Sequence, residues 1–214
     1  MKEYISINRE CYDNLAEEYS HRVDNKSPSE ESAANLCKFI LNTVTLPNNA
    51  MVLEIGPGAG QTLRCFSDLG FCTVGVELSA KMASLAYKTS PQSAIIIENI
   101  LDIDFVENQF DIIYLGAIIH LFPQEDAKKL MVKVFHWLKP CGRMFINTTC
   151  NDDNQEGFFE KKDYHGQFKR YRKHWTESGF YDFISASGFL ILDTMYTNED
   201  DRGKRWVAYV CKKA

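Results

Sequence analysis

Leu53 to Thr62 reads LEIGPGAGQT. An apolar run, MVLEI, enters glycines at 56, 58 and 60, and a helical pattern starts near Gln61. A strand that passes through glycines into a helix leaves bare backbone N–H groups at the carboxyl end of the strand, where open α/β sheets bind ligands. The spacing alone is also that of a tight turn holding nothing. A phosphate-cradling loop needs lysine and then serine or threonine after the last glycine, and here Gln61 and Thr62 follow. The dinucleotide pattern needs its third glycine at position 61, which is again Gln61. Glu54 inside the run suits an ammonium better than a pyrophosphate.

Outward from this turn, short apolar runs alternate with helical segments. MVLEI is followed by a helix near Gln61 to Ser67, CTVGVE by one from about Lys81 to Tyr87, and SAIIIEN and FDIIYLG by one from about Gln124 to Leu138; GRMFINTT comes next. Runs such as VLEI and IIYL, apolar on both faces, are those of a parallel sheet covered by helices. The pattern predicts a doubly wound α/β fold. Upstream, Ile7, Cys11, Leu15 and Tyr19 predict a helix over Ser6 to Tyr19. The turn-prone HRVDNKSPSEES separates it from a second helix over Glu30 to Asn42. After Cys150 the charged, aromatic stretch NDDNQEGFFEKKDYHGQFKRYRKHW intervenes. Then come a helix near Glu177 to Ser187, with Thr176 as its N-cap, and two strands, FLILDTMYT and RWVAYVCKK, whose short connection predicts a hairpin and an antiparallel last strand.

The 214 residues are 45% hydrophobic with net charge −5, which predicts one domain with a sizeable core and argues against a dedicated binder of nucleic acid or anionic membrane. No apolar run reaches the ~20 residues of a membrane span, and the polar start MKEYISINRE lacks the core of a secretory signal, so a cytoplasmic location is expected. The seven cysteines are scattered without a CxxC pair; they are expected to be mostly buried small hydrophobes, with no metal site.

Glu77 ends the second strand about 20 residues past the turn, where a carboxylate accepts both hydroxyls of a ribose. Asp102, in ENILDIDF, ends the third and stands where an adenine amine would be met. Taken singly, each is an ordinary strand-end acid. Their order resembles the class I S-adenosylmethionine-dependent methyltransferases: LEIGPGAG, VGVELS, NILDIDF, FDIIYLGAIIHLFP and WLKPCGRMFI match five successive motifs, with Cys141 replacing the first glycine of the usual LKPGG. The resemblance, strongest to small-molecule members such as quinone-biosynthesis methyltransferases, implies a mostly parallel seven-stranded Rossmann-like sheet and S-adenosylmethionine as methyl donor. It further implies that Gly56, Pro57, Gly58 and Gly60 contact the methionine part, that Glu54 helps hold its amino group, and that Glu77 with Leu78 binds the ribose. Asp102 and Ile103 would bind adenine, Gly116 would lie beside the sulfonium methyl, and Tyr19 would close over the cofactor.

On the acceptor side, CYDNLAEEYSHR resembles the lid segment of such members, which puts Tyr12 near the acceptor; an amphipathic helix packing its aromatics on the core is the other reading. His120, after the fourth strand, is placed to take a proton from a hydroxyl or amine, its ordinary pKa being ~6.5, or only to shape the pocket. Tyr164, Arg170, Arg172 and Trp175 belong to the segment that caps the acceptor in this family. Lys169, Arg170, Arg172 and Lys173 either recognise an anionic acceptor or form a solvated face. The expected organisation is a single domain with helices over 1–45, a cofactor core over 50–150, a cap over 151–175 and a helix and hairpin over 176–214. The expected activity is methyl transfer to an oxygen or nitrogen of a small molecule, by a monomer or homodimer. The alternatives are an RNA or protein methyltransferase, a non-catalytic S-adenosylmethionine-binding module and a nicotinamide-dependent oxidoreductase.

Overall fold

The computed structural model describes residues 2–25, 27–161, 168–199 and 203–214. Two helices, α1 (Glu3–Asn25) and α2 (Ser27–Leu41), precede the sheet. They are longer than their apolar spacing predicts, and most of the expected turn HRVDNKSPSEES is helical. Pro28 explains why: in the first turn of α2 its missing N–H has no helical partner to lose. The buried stripe of α1 is Tyr4, Asn8, Cys11 and Leu15, a face that begins before Ile7.

The sheet then builds through β1 (Met51–Ile55), α3 (Gln61–Asp68), β2 (Cys72–Glu77), α4 (Ala80–Thr89), β3 (Ala94–Ile97), β4 (Phe110–Leu115), α5 (Gln124–Trp137) and β5 (Leu138–Cys150). A two-stranded ribbon follows, β6 (Gln155–Lys161) against β7 (Phe168–His174), then α6 (Glu177–Ala186), β8 (Phe189–Glu199) and β9 (Lys204–Lys213). The strand order of the main sheet is β3-β2-β1-β4-β5-β9-β8. Strands β1 to β5 are parallel, and β9 is antiparallel to both β5 and β8.

Every residue of β4 is buried, as is β1 from Val52 to Ile55, which is why both read as unbroken apolar runs. The chain leaves β1 toward β2 and β3 on one side and returns to β4 on the other, so the switch point lies at the carboxyl ends of β1 and β4. Ser79 caps α4 by accepting from Met82 N, and Thr176 caps α6 by accepting from Gly179 N at 3.1 Å. Gly179 belongs in that first turn because an added Cβ would meet Thr176 Oγ1 at 2.9 Å.

The segment after Cys150 is more regular than its composition suggests. Strands β6 and β7 form a register of seven pairs, from Gln155↔His174 to Lys161↔Phe168. The cysteines divide differently from expectation: Cys11, Cys37 and Cys211 are buried, Cys65 and Cys150 are half-buried, Cys72 and Cys141 are exposed, and none of the seven is in a disulfide. Among the described residues no helix is long and apolar enough to cross a membrane.

Candidate active site

The three glycines of the opening turn all have positive φ: 70° at Gly56, 57° at Gly58 and 86° at Gly60. At Gly56 a Cβ would come within 2.8 Å of Ile118 Cδ1, so a side chain there would push against the loop after β4. At Gly60 it would come within 2.8 Å of the Ala86 backbone. Gly60 thus lets α3 approach α4 and does not line the cavity, unlike Gly56, Pro57 and Gly58.

That cavity, about 880 Å³, opens at the switch point and runs under α1 and α2 to the β9 hairpin. Its volume lies near the top of the range for small-molecule sites, ~300–1,000 Å³, and has room for two ligands side by side. One end is acidic. Glu54 is buried, its Oε2 has no hydrogen-bond partner, and burial pushes its carboxyl well above the usual range against the pull of the Leu63 backbone N–H. Glu77 accepts from Ser79 N at 2.9 Å through Oε1 and from Gly58 N at 3.2 Å through Oε2. Burial raises its pKa to about 7 while these amide donors lower it. Each Glu77 oxygen keeps a lone pair for a further donor. Leu78 lines the same end.

Asp102 is placed otherwise than the motif implies. It is exposed, off the cavity wall, and accepts from Asn99 Nδ2 at 2.8 Å. A 3-10 turn over Ile100–Asp102 carries the carboxylate back onto Asn99, and Glu98, Asn99 and Ile100 form the wall in its place. Ile103 is half-buried against the main core.

The helix α1 closes the cavity from above. Tyr4, Asn8 and Tyr12 recur every four residues, and with Tyr19 they put one face of α1 on the wall. The helix is held at three levels. Lys2 Nζ and Tyr4 OH donate to the buried Asp126 at 2.6 and 2.8 Å; Asn8 donates to Leu121 O and accepts from Tyr171 N; and Asp13 accepts from Ser79 Oγ. Helix α1 thus both packs on the core and lines the cavity.

The far end is basic. Along β7 the side chains alternate: Arg170 and Arg172 reach the cavity, Lys169 lies over the Phe158 ring, and Lys173 lies over Trp175 and pairs with Glu156. Arg170 Nη1 donates to Tyr12 OH at 2.8 Å and Arg172 Nη2 to Thr149 Oγ1 at 2.5 Å. Lys204 and Trp206 of β9 join this wall. Trp175 does not: it is buried against Phe180 and Phe183 of α6, so its place is structural. Tyr164 lies outside the described residues.

Between the two ends stand Gly116 and His120. A Cβ on Gly116 would collide with the Tyr114 ring, so only glycine fits there. His120 is 2% exposed and lines the cavity, with Nδ1 3.3 Å from Thr148 Oγ1. Ala117 has φ 56°, a left-handed conformation costing a non-glycine residue ~1–2 kcal/mol, and its N–H donates to Asn147 Oδ1. Asn8, Asn147, Lys204 and Trp206 were not singled out by motif. For Asn147 the readable sign was a carboxamide inside the apolar strand MFINTT.

Residues 52–142 match the family model of a methyltransferase domain, which takes in β1, the glycine turn, Glu77 and the loop of Gly116 and His120. Over that stretch the chain is similar to methyltransferase domains. Over 162 residues the chain is 33% identical to the phosphoethanolamine N-methyltransferase of Plasmodium falciparum, a match covering 71% of this chain and 58% of that protein. It is 25% identical over 160 residues to phosphoethanolamine N-methyltransferase 1 of Triticum aestivum, covering 69% of this chain and 32% of the relative. The match thus spans little more than half of the first relative and a third of the second. In fold it is similar to the Burkholderia thailandensis 1,6-didemethyltoxoflavin-N1-methyltransferase, solved with 1,6-didemethyltoxoflavin and S-adenosylhomocysteine, at TM-score 0.77 and 18% identity, covering 99% of this chain and 89% of that one.

The residues present fit the family's cofactor. The unpartnered Glu54 Oε2 at the turn is the buried acceptor that an ammonium would complete, and Glu77 offers two oxygens to a diol. The ionisable residues of the wall nearest the turn, Glu54, Glu77 and Glu98, are all acidic, which suits a ligand end without phosphate.

Proposed function

We propose that this chain is an enzyme that transfers a methyl group from S-adenosylmethionine to the nitrogen of a small amine carrying an anionic group, with phosphoethanolamine as the reference acceptor. The observation that carries this reading is the segregation of charge within one cavity: carboxylates around the glycine turn, and Arg170, Arg172 and Lys204 at the other end. The acceptor named for the two curated relatives has both an amine and an anion, in keeping with that division.

When bound, S-adenosylmethionine supplies an electrophilic methyl on a sulfonium. In this reading Glu54 holds its ammonium and Glu77 its ribose, and the bare backbone of Gly116 lies beside the methyl. Arg170, Arg172 and Lys204 hold the acceptor's anion, and charge-assisted bonds from the planar guanidinium groups orient it. His120, the only histidine on the described wall, takes the proton that the amine loses. Helix α1 covers the site and keeps water from the reacting atoms, so that alignment of the amine supplies much of the rate. Scattered cysteines, none in a disulfide, support a reducing compartment such as the cytoplasm.

The test is calorimetric titration with S-adenosylhomocysteine, followed by transfer of labelled methyl from S-adenosylmethionine to phosphoethanolamine. Binding with appearance of N-methylated product supports the proposal. Failure to bind S-adenosylhomocysteine would overturn the cofactor reading, and binding with label appearing only on uncharged acceptors would overturn the anionic-amine reading.

A further inference from the structure

Asn147 stands where the two ends of the cavity meet. It lines the cavity from β5, beside Ala208 of β9, its partner in register. Its Oδ1 accepts from the N–H of Ala117, the residue held at φ 56° directly after Gly116. A backbone N–H can pair only with the oxygen of a carboxamide, so this bond fixes which way the amide points. Nδ2 is turned away from Ala117, and among the described residues no hydrogen bond engages it.

The neighbour two residues along the same face of β5 is Thr149, whose Oγ1 accepts from Arg172. Two residues of extended strand span ~7 Å. Asn147 therefore lies between the Gly116–Ala117 turn and the guanidinium that closes the basic end, about one short linker from each.

We propose that Asn147 is a specificity-determining residue for the acceptor: Oδ1 holds the Ala117 turn, while Nδ2 donates a hydrogen bond to the acceptor oxygen nearest its amine. The acceptor class this selects is a short one, in which amine and anion are separated by about two carbons, so that an ester or phosphate oxygen falls opposite Nδ2. The inference rests on the anionic-amine reading above. It assigns one residue two tasks, and substitutions separate them. In N147D a carboxylate oxygen still accepts from Ala117 N–H, but the donor is replaced by a negative charge facing the acceptor oxygen. N147A removes both functions, and adding A117G relieves the left-handed turn of its side chain.

The experiment titrates phosphoethanolamine into the S-adenosylhomocysteine complex of each variant and measures kcat and KM of methyl transfer. For N147D the expected result is S-adenosylhomocysteine affinity within about twofold of wild type and phosphoethanolamine affinity lowered about tenfold or more, with the change in KM exceeding that in kcat. N147A/A117G is expected to recover the S-adenosylhomocysteine affinity that N147A loses and to stay weak for phosphoethanolamine. An N147D variant that binds phosphoethanolamine as wild type does would overturn the inference and leave Asn147 a turn-holding residue only. Failure of the wild-type complex to bind phosphoethanolamine would overturn the acceptor reading, and the inference with it.

Discussion

The two ends of the cavity are built in opposite ways. At the acidic end, Glu54, Gly56, Gly58, Glu77 and Asn99 come from a continuous β-α-β-α-β run, each at or just after the carboxyl end of a strand. At the basic end, Tyr12, Arg170 and Lys204 come from α1, β7 and β9, separated by up to 192 residues of chain. The acidic end is a local property of a strand-turn-helix repeat. The basic end exists only once α1 and the ribbon have docked beside the β8–β9 edge of the sheet, and α1 and the ribbon are not strands of that sheet.

That contrast is open to experiment. The largest expected effect is at the acidic end: Glu77→Ala removes an acceptor of two ribose hydroxyls and is expected to weaken S-adenosylhomocysteine about 100-fold by calorimetry, since bonds to a charged group contribute ~1.5–3 kcal/mol each. Unchanged affinity would break the assignment of that end. At the basic end, Arg170→Ala with Arg172→Ala is expected to raise the KM for phosphoethanolamine about 30-fold while leaving S-adenosylhomocysteine affinity within a factor of about two. Equal loss of both ligands would show that the two ends are not separable.

The pH dependence sharpens the comparison further. The free folded protein has Glu77 at about 7 and Glu54 raised, both because of burial. Both exceed their unfolded values, so protonation of these groups stabilises the unliganded fold; that contribution is complete below the unfolded carboxyl pKa and is lost as pH rises through the folded values. Cofactor binding prefers the ionised forms. S-adenosylhomocysteine affinity should therefore be full above pH ~8 and fall about tenfold by pH ~6, and the rise in Tm it produces should be larger at the higher pH. A flat profile would mean that neither carboxylate meets the ligand. The smallest expected effect on ligands is that of Trp175→Phe: a loss of ~1–2 kcal/mol in stability by denaturant titration, with affinity for both ligands unchanged. Weaker acceptor binding in that variant would return Trp175 to the site.

The difference between the two ends is also the difference in what could be read beforehand. Gly56, Gly58, Glu54 and Glu77 are legible because strand, turn and helix fix their positions within a few residues of chain. Asp102 shows where that logic stops: the order of motifs is right, but a 3-10 turn bends its carboxylate onto Asn99 and gives the wall to its neighbours. In RYRKHW, composition alone cannot say which cations face inward. Pairing of β7 with β6 sets the alternation that sends Arg170 and Arg172 to the cavity, Lys173 onto Trp175, and Trp175 into the core beside α6.

By itself the sequence determined the doubly wound sheet and the switch point, because unbroken apolar strands and the backbone freedom of glycine act over short stretches of chain. Only the tertiary structure decided how far α1 extends over the site, which basic residues meet in one cavity, and that Asn147 stands between the two ends. Those facts depend on contacts between residues far apart in the chain, from 30 positions for Ala117 with Asn147 to 163 for Asn8 with Tyr171, and no local pattern encodes them.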